Sequence, residues 1–195
     1  MAVSARRGEP LTHHEISATA LRMVDAGGVE ALSMRKLAAE LDVNPMSLYH
    51  HVENKTALIR QLCALAVSRL ELPPDDGSHW QDQLRALAHA YRSLARLHPA
   101  LWAYVQVHPE MIGREDGMWA VLCRILAAAG VPGEDLLHTG EALYSFVSGF
   151  VTAESQGGLG GHAGGDVDRT FEIAVDLIVS GLERHGGSGA RPEAP

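Results

Sequence analysis

The twenty-three residues from Ser33 to Lys55, SMRKLAAELDVNPMSLYHHVENK, restrict the fold of this chain more than any other stretch. They hold two short helical patterns separated by a tight turn. Ser33 is placed to accept a hydrogen bond from the free N–H groups of the first turn, and Leu37, Ala38 and Leu41 share one face of a helix from Met34 to Leu41. Asp42 and Val43 make the turn. Asn44 is a second cap, and Pro45 suits the first helical position, where its missing N–H costs nothing and its fixed φ is already helical. Along this second helix Leu48 and Val52 point back to the first, which leaves Met46, Ser47, Tyr49, His50 and His51 on the outer faces. Exposed helices in water normally carry Glu, Lys and Gln. Hydroxyl, imidazole and phenol groups instead suit phosphates, base edges and thymine methyls, and Lys55 follows within reach of a phosphate. The pattern predicts a helix-turn-helix that enters a DNA groove, and leaves open a plain helical hairpin in a core.

Charge qualifies that expectation. The chain of 195 residues carries a formal net charge of -8. Residues 1–60 hold seven Lys/Arg and seven Asp/Glu, so the excess of acid lies entirely in the remainder. A neutral head with few positioned cations binds DNA weakly as a single copy and needs a second. Four of the eleven histidines, His13, His14, His50 and His51, fall in this head and add charge in the field of DNA. Each adjacent pair diverges around a helix, so no metal site is expected from them, and no cofactor. Cys63 and Cys123 are far apart in sequence and read as small buried hydrophobes. No apolar run approaches the roughly 20 residues that span a bilayer, and MAVSARRGEP has no apolar stretch to act as a secretion signal. The expected location is the cytoplasm, away from the membrane.

Helical periodicity continues on both sides of the central stretch. Met1 to Pro10 reads as an arm with Arg6 and Arg7 available to DNA. Thr12 and Glu15 form a capping box ahead of Ile16, Ala20, Met23 and Val24, and Gly27 and Gly28 stop that helix at Ala26. A fourth helix begins at Thr56, carries Leu58, Leu62, Leu65, Ala66 and Leu70, and ends before Pro73 and Pro74. The turn-rich PPDDGS that follows is the clear break in composition and divides the chain into 1–72 and 73–195. In the second part, a capping box at Ser78 and Gln81 opens a helix to about His98, and Pro99 opens a shorter one. Further helices are expected over about 116–129 and 133–156, and one capped by Asp166 or Asp168 closes the chain. GGLGGHAGG, residues 157–165, reads as a flexible loop. No strand is predicted, so the fold class is all-α. The last two long helices are too apolar for a water-facing surface, and a second copy of the chain packing the same pair into a four-helix bundle would cover them.

SMRKLAAELDVNPMSLYHHVENKTALI closely resembles the DNA-binding head of the TetR (tetracycline-repressor-like) family of bacterial transcription regulators. In that family a Ser/Thr, an Arg and K-L-A precede a Ser/Thr-L-Y, an aromatic or His, an N-K and a Leu. SHWQDQLRALAHAYRSLARLHP and the closing FEIAVDLIVSGLERHG resemble the family's later helices. The resemblance implies an N-terminal three-helix bundle with the helix-turn-helix, a C-terminal ligand-binding and dimerisation domain, and a homodimer on a palindromic double-stranded operator. Positions matching the family's DNA contacts are Ser33, Arg35, Pro45, Met46, Ser47, Tyr49, His50, His51 and Lys55. Arg35 and Met46 would meet bases, while Ser33, Ser47, Tyr49, His51 and Lys55 would mainly hold phosphates. Pro45 and Met46 depart from the polar base reader of the tetracycline repressor, so a different operator is expected.

For the small-molecule inducer that the family implies, the candidates are His98, Trp102, Tyr104, His108, Met111, Trp119 and Tyr144, aromatic and polar groups amid Leu and Ala that core packing explains equally well. The His and Asn that hold the drug–magnesium complex in the tetracycline repressor correspond to Glu71 and Leu87, so tetracycline is not the expected ligand. The fourth helix is expected to carry the signal from body to head. An enzyme or a helical scaffold is the alternative, but the chain shows no G-x-S-x-G, no H-E-x-x-H and no phosphate loop. The function expected is a ligand-responsive transcription regulator, a repressor released from its operator by a small hydrophobic molecule.

Overall fold

The computed structural model describes residues 10–111, 117–159 and 165–186; the arm bearing Arg6 and Arg7 and most of the glycine-rich loop lie outside them. Among the described residues there are nine α-helices and no strand: α1 (His13–Gly27), α2 (Met34–Glu40), α3 (Pro45–Tyr49), α4 (Lys55–Ser68), α5 (Trp80–Leu97), α6 (Pro99–Val107), α7 (Gly117–Ala128), α8 (Leu136–Ser155) and α9 (Val167–Gly186). None of these helices is long and apolar enough to cross a membrane. They divide into two compact units, Met1–Arg69 with His98–Gly113, and Leu70–Leu97 with Arg114–Pro195. The α6 segment therefore groups with α1 to α4, although it follows the break at PPDDGS in sequence.

The first unit is built on α1. Thr12 and Glu15 close the capping box in both directions, at 3.2 and 3.1 Å. Gly28, at φ 79° and ψ 166°, ends the helix in a conformation that side chains other than hydrogen do not tolerate. Ile16, Ala20 and Val24 are wholly buried, and α1 packs on α4 and α6. Leu37 of α2 and Leu48 of α3 are also fully buried, each contributing roughly 2–3 kcal/mol by leaving water. That burial seats the exposed side of α3.

The second unit packs α5, α7, α8 and α9 around Leu84, Leu87, Leu122, Ile125, Leu126, Phe171, Val175 and Val179. Asp166 caps α9, its carboxylate accepting from the Arg169 N–H at 3.1 Å. A ladder of polar contacts, ionic at Arg85 and Arg92, runs along the antiparallel pair α5 and α9. Gln81 donates to Glu183 at 3.0 Å, Arg85 to Asp176 at 3.0 Å, and Arg92 to Asp168 at 2.7 Å, with His89 3.3 Å from Glu172. Arg92 is the buried rung. Its guanidinium also clasps both oxygens of Glu154, at 2.9 and 2.6 Å, and lies 4.5 Å over the Phe171 ring.

Several helix limits differ from the periodic pattern. The second helix of the central stretch stops at Tyr49, so His50 and His51 lie in the turn beyond it rather than on its face. The His51 and Val52 N–H groups both turn back to the Leu48 carbonyl at 2.9 Å, returning Val52 to the core, and Asn54 already caps the next helix. That helix begins at Lys55 and ends at Ser68, short of Leu70. The first helix of the body starts at Trp80, two residues past Ser78.

Candidate nucleic-acid interface and ligand cavity

Both caps of the central stretch form as the residue types dictate. Ser33 Oγ accepts from the Lys36 N–H at 3.2 Å, and Asn44 Oδ1 from the Met46 N–H at 2.9 Å. Asp42 takes the left-handed conformation, φ 53°, that ends α2, and the Val43 N–H closes onto the Ala38 carbonyl at 3.0 Å. Arg35, Pro45, Met46, Tyr49 and His50 are exposed, while Ser33, Ser47, His51 and Lys55 are half-buried. Met46 at 64% and Tyr49 at 48% lie one turn apart on the short α3, both open to solvent, so their side chains are free to meet a partner surface.

Lys55 occupies the first turn of α4, the end where a cation opposes the helix dipole. An anion beside it would meet both the ammonium and the free N–H groups of that turn, which suits a DNA phosphate. The rings of His13 and His51 meet edge to face, 5.0 Å apart, joining the start of α1 to the turn after α3. Among the described residues no group of three or more His, Cys, Asp or Glu is placed to hold a metal ion.

The second unit contains a cavity of about 470 Å³, counting its open mouth, lined by Leu84, Leu87, Ala88, Tyr91, Met118, Trp119, Leu122, Leu143, Tyr144 and Val147. Its exposed wall is wholly apolar. Tyr91 and Tyr144 meet edge to face at 5.7 Å, and the neighbouring cation, Arg92, is neutralised by Glu154 and Asp168. Such a site binds by shape and apolar contact, and offers no counter-charge to an anion.

Trp119 and Tyr144 are the two sequence candidates in this wall. The other five lie in the first unit: Trp102 and Met111 are buried, the half-buried Tyr104 stacks on His108 at 4.2 Å, and His98 is buried with its Nδ1 3.0 Å from the Asp25 carboxylate. Leu84, Leu87, Ala88, Met118, Leu122, Leu143, Tyr91 and Val147 complete the wall and carry no mark of a ligand site in the sequence. Their spacing marks core stripes, and periodicity does not distinguish a filled core from one with a hollow.

Residues 16–62 match the family model for bacterial regulatory proteins of the tetR family, and residues 84–178 match that for a tetracyclin repressor-like C-terminal domain. An HTH-type transcriptional regulator of Saccharopolyspora erythraea is 33% identical over 149 residues, which cover 74% of this chain and 61% of that protein's length. Apo ActR of Streptomyces coelicolor is 26% identical and superposes with a TM-score of 0.79 over 94% of this chain and all of its own; ActR has also been solved in complex with actinorhodin. BioQ of Mycobacterium smegmatis is 27% identical, with a TM-score of 0.74 over 90% of this chain and all of its own, and a BioQ structure holds its double-stranded DNA operator. With one matched region on the capped helix pair and the other on the unit that holds the cavity, the chain belongs to the TetR family of bacterial transcription regulators.

Proposed function

We propose that this protein is a ligand-responsive repressor. As a homodimer it holds a palindromic operator through α2, α3 and Lys55, and it releases that operator when a small hydrophobic molecule, neutral or cationic, enters the cavity of the second unit. The observation that carries this reading is the wholly apolar cavity in a chain whose other unit exposes Met46 and Tyr49 on a capped helix. Likeness to ActR, solved with actinorhodin, and to BioQ, solved with its operator, supports both halves. Leu87 stands in the cavity wall; the resemblance to the tetracycline repressor matches it to an Asn there, so this wall lacks a polar partner that a drug–metal complex would use.

Coupling follows the chain. Leu84, Leu87, Ala88 and Tyr91 of the wall all lie on α5, and α5 continues through His98 alone into α6. Within the first unit, His98 is tied to Asp25 on α1. A ligand that shifts α5 therefore moves α6 and, through that pair, α1. The fourth helix, Lys55–Ser68, likewise lies in the first unit and runs to its limit at Arg69, so it offers a second covalent route for the same signal. Coupling of this kind is worth about 1–3 kcal/mol, roughly 5- to 150-fold in affinity, and acts equally in both directions.

The test is to screen neutral and cationic hydrophobic compounds for quenching of Trp119 fluorescence and then titrate operator DNA with and without each binder. A compound that quenches Trp119 is expected to weaken operator binding within that range, and operator to weaken the compound by the same factor. Binders that all leave operator affinity unchanged would refute the inducer role.

A further inference from the structure

We propose that Gly140, which does not itself line the cavity, sets the largest ligand the cavity admits by fixing how far the Trp119 indole is drawn back. This rests on the reading of the cavity as the ligand site. Gly140 lies buried in the second turn of α8, where glycine weakens a helix relative to alanine. Close approach explains its presence. A Cβ built there falls 3.1 Å from Cη2 and 3.3 Å from Cζ2 of Trp119, with Leu122 Cδ2 at 3.7 Å. The benzo edge of the indole thus occupies the space that any other residue at position 140 would fill.

The arrangement has a direction. Gly140 lies one turn before Leu143 and Tyr144 of the wall on the same face of α8, and the edge of the Trp119 indole, itself part of the wall, rests against it at the end of the cavity. An added methyl pushes the far end of a side chain rather than backbone, and the indole yields toward the hollow. The cavity narrows on the α7 side, next to Met118. Large planar ligands lose room first and small ones last.

Two neutral probes of different size read this out: N-phenyl-1-naphthylamine, whose emission rises in apolar surroundings, and naphthalene. Their affinities are measured by fluorescence and calorimetry for the full chain, Gly140→Ala, Trp119→Leu and the double variant. Leucine keeps the position apolar and folded while removing the indole edge, and circular dichroism confirms helicity. Gly140→Ala is expected to weaken the larger probe about tenfold or more while changing naphthalene by less than about threefold. In the Trp119→Leu background the same substitution is expected to change neither, because the atoms it would strike are gone. Equal losses with and without the indole, or no loss from Gly140→Ala, would overturn the assignment while leaving the cavity a ligand site. Absence of binding of either probe to the unaltered protein would overturn the ligand reading and this assignment together.

Discussion

Replacing Leu177 with glutamate is expected to leave the chain folded but monomeric, and to weaken operator binding by about a hundredfold or more, since linked heads gain that much from acting together. Leu177 is 66% exposed, so a carboxylate there costs a single chain little. Ile173, one turn earlier on α9, is 47% exposed, and Phe146 on α8 is 48% exposed. Ala142, Ser145 and Gly149 are exposed too, and helical spacing puts them on the side of Phe146, a surface small enough for another helix to approach closely. A second copy packing the same two helices against these would bury all of them in a four-helix bundle and would bury the new charge without a partner. Light scattering reads the mass. A dimer that survives Leu177→Glu would move the proposed interface away from α9.

Arg92→Met is expected to lower the stability of the second unit by about 3 kcal/mol, seen as a fall in the urea midpoint. Methionine matches the length of the stem, so the loss comes from stranding Glu154, whose side chain is only 16% exposed, without its cation. Arg92→Met combined with Glu154→Leu should recover most of the loss, because an apolar pair replaces the ionic one. The same cluster shapes the acid limb of stability. The hydrogen bond and charge of Arg92 hold the Asp168 carboxyl below its ordinary value of 3.8, and Arg96 adds to this. A depressed folded-state value means that the stabilisation is present above about pH 4 and is lost as the pH falls through the lower, folded value. Asp168→Asn should therefore lower stability near neutrality and flatten its dependence below pH 4, as followed by denaturant unfolding at stepped pH.

Much of the head was legible because capping is a local matter. Ser33, Asn44 and Pro45 each announce a helix start by side-chain chemistry that needs no distant partner, and both caps form as expected. Where a helix stops was harder to see. The pattern that carries Leu48 on to Val52 continues past Tyr49, but a turn returning the Val52 N–H to Leu48 satisfies the same spacing, and Asn54 needs the room. In the body, the apolar stripes of α5, α7 and α9 gave the core but hid the ladder along it. Arg85, His89 and Arg92 alternate with leucines at helical spacing, and only the antiparallel placement of α9 brings Asp176, Glu172 and Asp168 opposite them. The cavity was hidden for a related reason. Leu84, Leu122 and Val147 carry the same helical spacing whether they close on one another or line a hollow, and the contact of Trp119 with Gly140 joins two helices that no local pattern pairs.

Reading of DNA by paired heads through α2, α3 and Lys55 is tested by selecting binding sequences from a random double-stranded pool and footprinting the winners with the unaltered protein, Met46→Ala and Lys55→Ala. The unaltered protein should enrich an inverted repeat, protected as two half-sites about one helical turn or more apart with one dimer bound. Met46→Ala should change the preferred bases, while Lys55→Ala should weaken every sequence alike and reduce the salt slope by about one. A pool that yields no inverted repeat, or a footprint of unaltered size and affinity from both variants, would contradict it.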